Sequence, residues 1–157
     1  MKKLKIYLDT SVISMLDQTK SQDRMADSQK LWTKIKKNEF DVVLSTITLD
    51  ELNKNKPDKK AKLLHYLKQI KYSLISINEK SIEVASRFVN LGILKQKSFD
   101  DCQHIAAAII SECDVIVSWN FKHIVNHKTI EGVKAVTALE GYDDVLIYSP
   151  SILIGGE

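Results

Sequence analysis

Cysteine is scarce in this chain, with Cys102 and Cys113 the two among 157 residues. They fit no metal-ligand spacing and fall in one predicted helical region, so they read as small buried side chains in a reducing cytoplasm. Long apolar runs are missing too. None reaches the length needed to cross a membrane. In the opening "MKKLKIYLD", Asp9 ends the apolar run before a signal-peptide core forms. Nor does one sign of charge dominate: 23 Lys and Arg against 20 Asp and Glu leave a net +3. That balance is compatible with a nucleic-acid partner but too small to argue for one. No repeat, low-complexity segment or linker interrupts the chain. Together these absences predict a soluble, cytoplasmic protein without membrane contact, folded as a single domain over residues 1–157.

What is present is an alternation. "LKIYLD" (4–9) reads as a strand ending near Asp9, and "DVVLST" (41–46) as a second that runs straight into the helical "LDELNKN". "DVIVSW" (114–119) and "DVLIYS" (144–149) are further buried-type strands, and "YSLISI" (72–77) is compatible with one more. Between them lie helical periodicities. Met25, Leu31, Trp32 and Ile35 mark one, and Pro57 opens another with Leu63, Leu64, Leu67 and Ile70 as its stripe. Ile82, Ala85, Val89 and Ile93 suggest a helix over 79–94, and 98–112 is helical as well. Unbroken apolar strands alternating with helices predict a central, mainly parallel sheet covered on both faces.

In such sheets the ligand crevice lies beyond the carboxyl ends of the strands. Asp9 ends the first strand, Glu51 lies in the first turn after the second, and Asn120 follows "DVIVSW". Asp101 opens a helix that is itself preceded by a helix. From Asp101, helical steps reach Ile105, Ala108 and Ile109, so it continues the core-facing stripe. Asp100 leads instead to His104 and Ala107, a more mixed face, and is expected to look outward or sideways. Each acid also has a capping reading: Asp9 for "TSVIS", Thr48-x-x-Glu51 and Ser98-x-x-Asp101 as capping boxes. Capping does not explain why a helix-borne Asp should continue a core stripe. Three carboxylates meeting at one edge repel one another. A divalent cation removes that conflict, and oxygen ligands suit Mg²⁺ or Mn²⁺.

These residues resemble those of PIN domains, the metal-dependent nuclease fold. "YLDTSVIS" is similar to the family's opening, Glu51 in "ITLDELNK" to its second acid, and "DCQHIAAA" to its Asp-led helix. "DVIVSWNFKHIVN" and "GYDDVLIYSPSIL" resemble its later strands and the turns that follow them. The resemblance implies a three-layer α/β/α sandwich and cleavage of single-stranded RNA or DNA. It assigns Asp9, Glu51 and Asp101 as catalytic, metal-binding acids for Mg²⁺ or Mn²⁺, and cleavage that leaves a 3′-hydroxyl and a 5′-phosphate. Many bacterial members are VapC-like toxins held inactive by an antitoxin, often as homodimers. Asn120 departs from the fourth acid that many members carry, which makes a second fixed metal less expected.

Around this triad, Thr10 and Ser11 are expected to orient Asp9 or a metal-bound water, or else to serve in capping. Asp100 and Asn120 are supporting candidates, while Lys122 and His123 are candidates for phosphate contact. His104 is expected to be a neutral packing histidine, and Trp119 is a base-stacking candidate whose place in the strand favours the core. The Lys-rich "NKNKPDKKAKLLHYLKQIK" reads as a solvated face, or as a surface for RNA or an acidic antitoxin segment. Two rival enzymes fit poorly. A receiver domain needs an acidic pair that "KKLKIYLD" lacks, and an aspartate-nucleophile phosphatase needs Asp where Ser11 stands. The serious rival is a catalytically weak PIN fold that binds RNA or a protein partner.

Overall fold

Five short strands form one sheet in the computed structural model, which describes residues 2–155. They are β1 (Leu4–Leu8), β2 (Phe40–Ser45), β3 (Ser73–Ile75), β4 (Val115–Val117) and β5 (Leu146–Tyr148). The order is β3-β2-β1-β4-β5 and every pairing is parallel. The chain therefore builds outward from β1 to β3, then returns to add β4 on the other side of β1. The switch point lies between β1 and β4, where Ile6, Tyr7 and Leu8 pair with Val115, Ile116 and Val117.

The inner strands β1, β2 and β4 are apolar on both faces because both faces are covered, while the edge strands β3 and β5 leave Leu74 and Leu146 exposed. Tyr7, Val43, Ile116 and Ile147 point into a core closed by α5 (Glu79–Asn90), α6 (Phe99–Ile110) and α7 (His127–Glu140). Ile6, Leu8, Val42, Leu44, Val115 and Val117 point the other way. There they meet α1 (Thr10–Ser14), α2 (Gln22–Lys36), α3 (Thr46–Asn53), α4 (Pro57–Lys68) and α8 (Pro150–Leu153). The result is the three-layer α/β/α sandwich. No helix among the described residues is long and apolar enough to cross a membrane.

Two local expectations change. α5 buries Ser81, Val84, Ala85 and Phe88, while Ile82 is 44% exposed, so the helix is rotated from the stripe drawn through Ile82. Asn78 caps it, accepting the Ser81 N–H while the Ser81 hydroxyl accepts the Asn78 N–H. α7 is a long helix absent from the elements expected above. Its buried face mixes Thr129, Gly132 and Thr137 with Val133 and Val136, which blurs the apolar period. Gly132 is needed there, because a Cβ would lie 2.7 Å from the side chain of Ile93.

Candidate active site

β1 delivers Asp9 to the carboxyl edge at the switch point, where the Asp9 N–H still donates to the Val117 carbonyl at 3.0 Å. Asp9 is 5% exposed, so its carboxylate requires partners. The Ser11 hydroxyl donates to Oδ2 at 2.7 Å and the Ser118 hydroxyl donates to the same oxygen at 2.8 Å. Ser118, the first residue beyond β4, also accepts the Asn120 N–H at 2.9 Å. Ser11 accepts the Trp119 N–H at 2.9 Å. Asp9 stands at the N-cap of α1 but makes no side-chain cap bond. Its carboxylate faces the crevice.

The capping boxes drawn for the other acids are not formed. α3 starts at Thr46 with Ser45 as its N-cap, so Thr48 lies inside the helix. Ser98 is the N-cap of α6 without a side-chain cap bond. Glu51 is instead turned toward α6, accepting a hydrogen bond from the Thr10 hydroxyl at 2.8 Å and one from His104 Nε2.

His104 is buried as a packing residue should be, but among the acids. It is 1% exposed, and its Nε2 lies 3.5 Å from Asp9 Oδ1 while bonded to Glu51. Nδ1 meets the Tyr7 hydroxyl at 2.7 Å, and that hydroxyl meets the Ser45 hydroxyl at 2.7 Å. Burial favours the neutral ring, but the Tyr7 oxygen and the Asp9 and Glu51 carboxylates outweigh it and hold His104 well above the ordinary histidine range. The ring lies buried between two acids that favour its protonated form. Burial likewise pushes Glu51 up, yet the bond and charge of His104, with help from Thr10, leave it below its ordinary value.

Asp101 is shifted the opposite way. Burial and then the charge of Asp9 raise its carboxyl, against the opposing pull of His123. Its Oδ2 accepts from His123 Nδ1 at 2.9 Å and its Oδ1 from Asn120 Nδ2 at 3.3 Å. Asn120 also accepts the His123 N–H at 2.9 Å on its own Oδ1. The Asn120 amide is thereby used at both ends, fixing the turn that presents His123 to Asp101. The neighbouring Cys102 thiol is pushed up to about 12 by burial and then by Asp101, so it is inert at neutral pH.

The fold thus gathers Asp9, Thr10, Ser11, Glu51, Asp101, Asn120 and His123 at one edge. Asp100 is not gathered; it is exposed, one residue around α6 from the crevice. Lys122 is exposed at the rim. Trp119 is 6% exposed and donates from Nε1 to Ser28 at 2.7 Å, which makes it core. Sequence reasoning missed Tyr7, Ser45 and Ser118. Ser118 carried one signal, a hydroxyl at the carboxyl end of the strand beside Asp9.

The donor chemistry suits a hard divalent cation: oxygen ligands at the switch point, with Asp101 in the field of Asp9. As they stand, no three His, Cys, Asp or Glu side chains among the described residues are grouped to hold a metal ion. Glu51 is hydrogen-bonded to His104, which also lies 3.5 Å from Asp9 Oδ1.

A family profile described as "PIN domain" matches residues 5–122. Among solved structures, VapBC2 from Rickettsia felis, bound to a DNA fragment from its promoter, aligns with a TM-score of 0.57 at 14% identity. That alignment covers 93% of this chain and 98% of the other. The Mycobacterium tuberculosis VapC20 toxin, which cleaves the Sarcin-Ricin loop, aligns with a TM-score of 0.58 at 14% identity. Here 90% of this chain and 98% of the other are covered. At that identity the likeness speaks to the fold. No curated protein sequence matches the chain.

Proposed function

This chain belongs to the PIN domain family, and on that premise we propose that it is a VapC-like, metal-dependent endoribonuclease acting on single-stranded RNA. The observation that carries the reading is Asp9 at the β1/β4 switch point, close enough to Asp101 for its charge to raise that carboxyl. A carboxylate whose charge is opposed by burial and by a neighbouring acid at a crevice is a standing reason to bind a cation.

Asp9 and Asp101 are the residues that would hold Mg²⁺ or Mn²⁺, joined by Glu51 once it gives up His104. A bound ion of this kind lowers the pKa of a coordinated water and stabilises charge on the phosphate. The chain's own contribution is orientation. Ser11 and Ser118 fix Asp9, Thr10 fixes Glu51, and Asn120 with His123 fixes Asp101. His104, whose protonation the two acids favour, is placed to offset their charge when no metal is bound. Hydrolysis would leave a 3′-hydroxyl and a 5′-phosphate. The VapBC2 and VapC20 folds support the toxin reading, with an antitoxin as protein partner; a homodimer is the assembly that the family resemblance implies.

The test is cleavage of a mixed single-stranded RNA pool in Mn²⁺ or Mg²⁺, comparing wild type with Asp101→Asn. Metal-dependent cutting that disappears in the variant supports the nuclease. No cutting by folded, antitoxin-free wild type shifts the reading to a PIN-fold module that binds RNA or protein without cleaving.

A further inference from the structure

Beside Asp101 the loop between α5 and α6 and the start of α7 enclose a cavity of about 290 Å³. Lys95 and Lys97 enter it from the loop, Lys122 from the turn after β4, and Lys128 from the first turn of α7. No acidic side chain lines it. All four lysines are exposed, and none forms an ion pair with the described residues. Four unpaired ammonium groups around one hollow repel one another, and an anionic guest relieves that repulsion.

The cavity is a built feature. Ile93 packs into the space left by Gly132, so the lysine-bearing loop lies directly on α7. At the opening of α7, Asn126 accepts the Thr129 N–H at 2.9 Å, and the helix adds its positive end to the same wall. His123 lines the cavity and is bonded to Asp101, so one side chain joins the hollow to the acidic site.

We propose that this lysine cavity binds successive backbone phosphates of single-stranded RNA flanking the phosphodiester held at Asp9 and Asp101. The proposal rests on the nuclease reading for its location and deepens it by naming the path of the substrate. Continuity with the acidic site through His123 favours RNA over an acidic protein segment. An RNA strand in the crevice must carry its next phosphates past this rim, and phosphates are the charge the cavity lacks.

The experiment is fluorescence anisotropy with a labelled single-stranded RNA oligonucleotide in EDTA, so that binding is read without cleavage. Wild type is compared with Lys95→Gln/Lys97→Gln, with Lys122→Gln/Lys128→Gln, and with a control, Lys36→Gln/Lys37→Gln, at the end of α2. Each cavity pair is expected to weaken binding about tenfold at low salt and to flatten the salt slope by about 1.4, or about 0.7 per lost contact. The control should leave both unchanged. Cavity variants that bind like the control overturn the proposal, as does wild type that fails to bind RNA. So does normal RNA binding joined to lost binding of a polyglutamate probe, which would assign the cavity to a protein partner. Cleavage by wild type in Mn²⁺, run in parallel, keeps the two readings apart. Lysine-dependent binding without cleavage sinks the nuclease and retains the cavity, whereas cleavage with lysine-independent binding does the reverse.

Discussion

Replacing His104 with leucine tests the claim that an imidazolium neutralises the acidic site from within. The ring is 1% exposed and lies 3.5 Å from Asp9. At that distance the gross attraction is about 5 kcal/mol with an effective dielectric constant of about 20, before desolvation is subtracted. Removing one partner of a buried pair costs about 3–5 kcal/mol, because the other charge is left unpaired. The lower end applies, since the Glu51 side chain is 30% exposed and retains the Thr10 bond. Leucine fills similar space, and Tyr7 keeps its bond to Ser45, so little of the loss would come from a cavity. His104→Leu should therefore lose about 3 kcal/mol in urea denaturation with EDTA, or about 6–12 °C in melting temperature. Glu51→Gln added to that variant should restore part of the loss, since the unpaired carboxylate is gone. Excess Mg²⁺ should stabilise His104→Leu more than wild type. A His104→Leu protein as stable as wild type in EDTA, with no coupling to Glu51, would refute the charged ring.

Stability without metal should fall from weakly acid toward alkaline pH. His104 is raised above 6.5, so its contribution is present below that pH and is lost as pH rises through its folded value. Asp101, raised above 3.8, likewise favours folding most while protonated. Glu51 is lowered from 4.5 and works the other way, losing its contribution only as pH falls through its folded value. A melting temperature in EDTA that climbs between about pH 6 and about pH 9 would contradict these signs. Asn120→Ala should cost about 1–2 kcal/mol in urea and reduce cleavage, because the His123 N–H and Asp101 both lose a partner. Unchanged stability and cleavage would show that the turn does not depend on Asn120. Trp119→Ala should cost about 3–5 kcal/mol as a core deletion, whereas Phe121→Ala, at a side chain 43% exposed, should cost under about 1 kcal/mol. The reverse order in urea denaturation would place Phe121 rather than Trp119 in the core.

Much of the frame is local and could be read from the residues in order. "IYL", "VVL" and "VIV" are strands because they are apolar on both sides, and a strand covered on both faces has no other pattern available. Asp9 and Asn120 follow two of those strands, so the site's edge was legible from chain order alone. The Asp101 stripe was legible for the same reason, since 3.6-residue spacing is fixed by the helix itself. α7 was not, because Gly132 is buried for close approach to Ile93 and a glycine adds nothing to an apolar count.

The chemistry between the acids belongs to the tertiary structure. His104 sits 97 residues from Tyr7 and 53 from Glu51, and nothing in its neighbours' identities signals that α6 will lay it against both. Read on its own helix, it shares a face with exposed Asp100 and resembles packing. Only the seating of α6 on the Tyr7 face of β1 places the ring among carboxylates and changes its protonation. Ser118 reaches Asp9 across 109 residues because β4 pairs with β1, a pairing that follows from strand order. The sequence by itself determined which side chains stand at strand ends and helix starts, because those periods are local. Which of them meet, and which charge each then carries, was decided by sheet order and helix docking, because burial and Coulomb forces act across space.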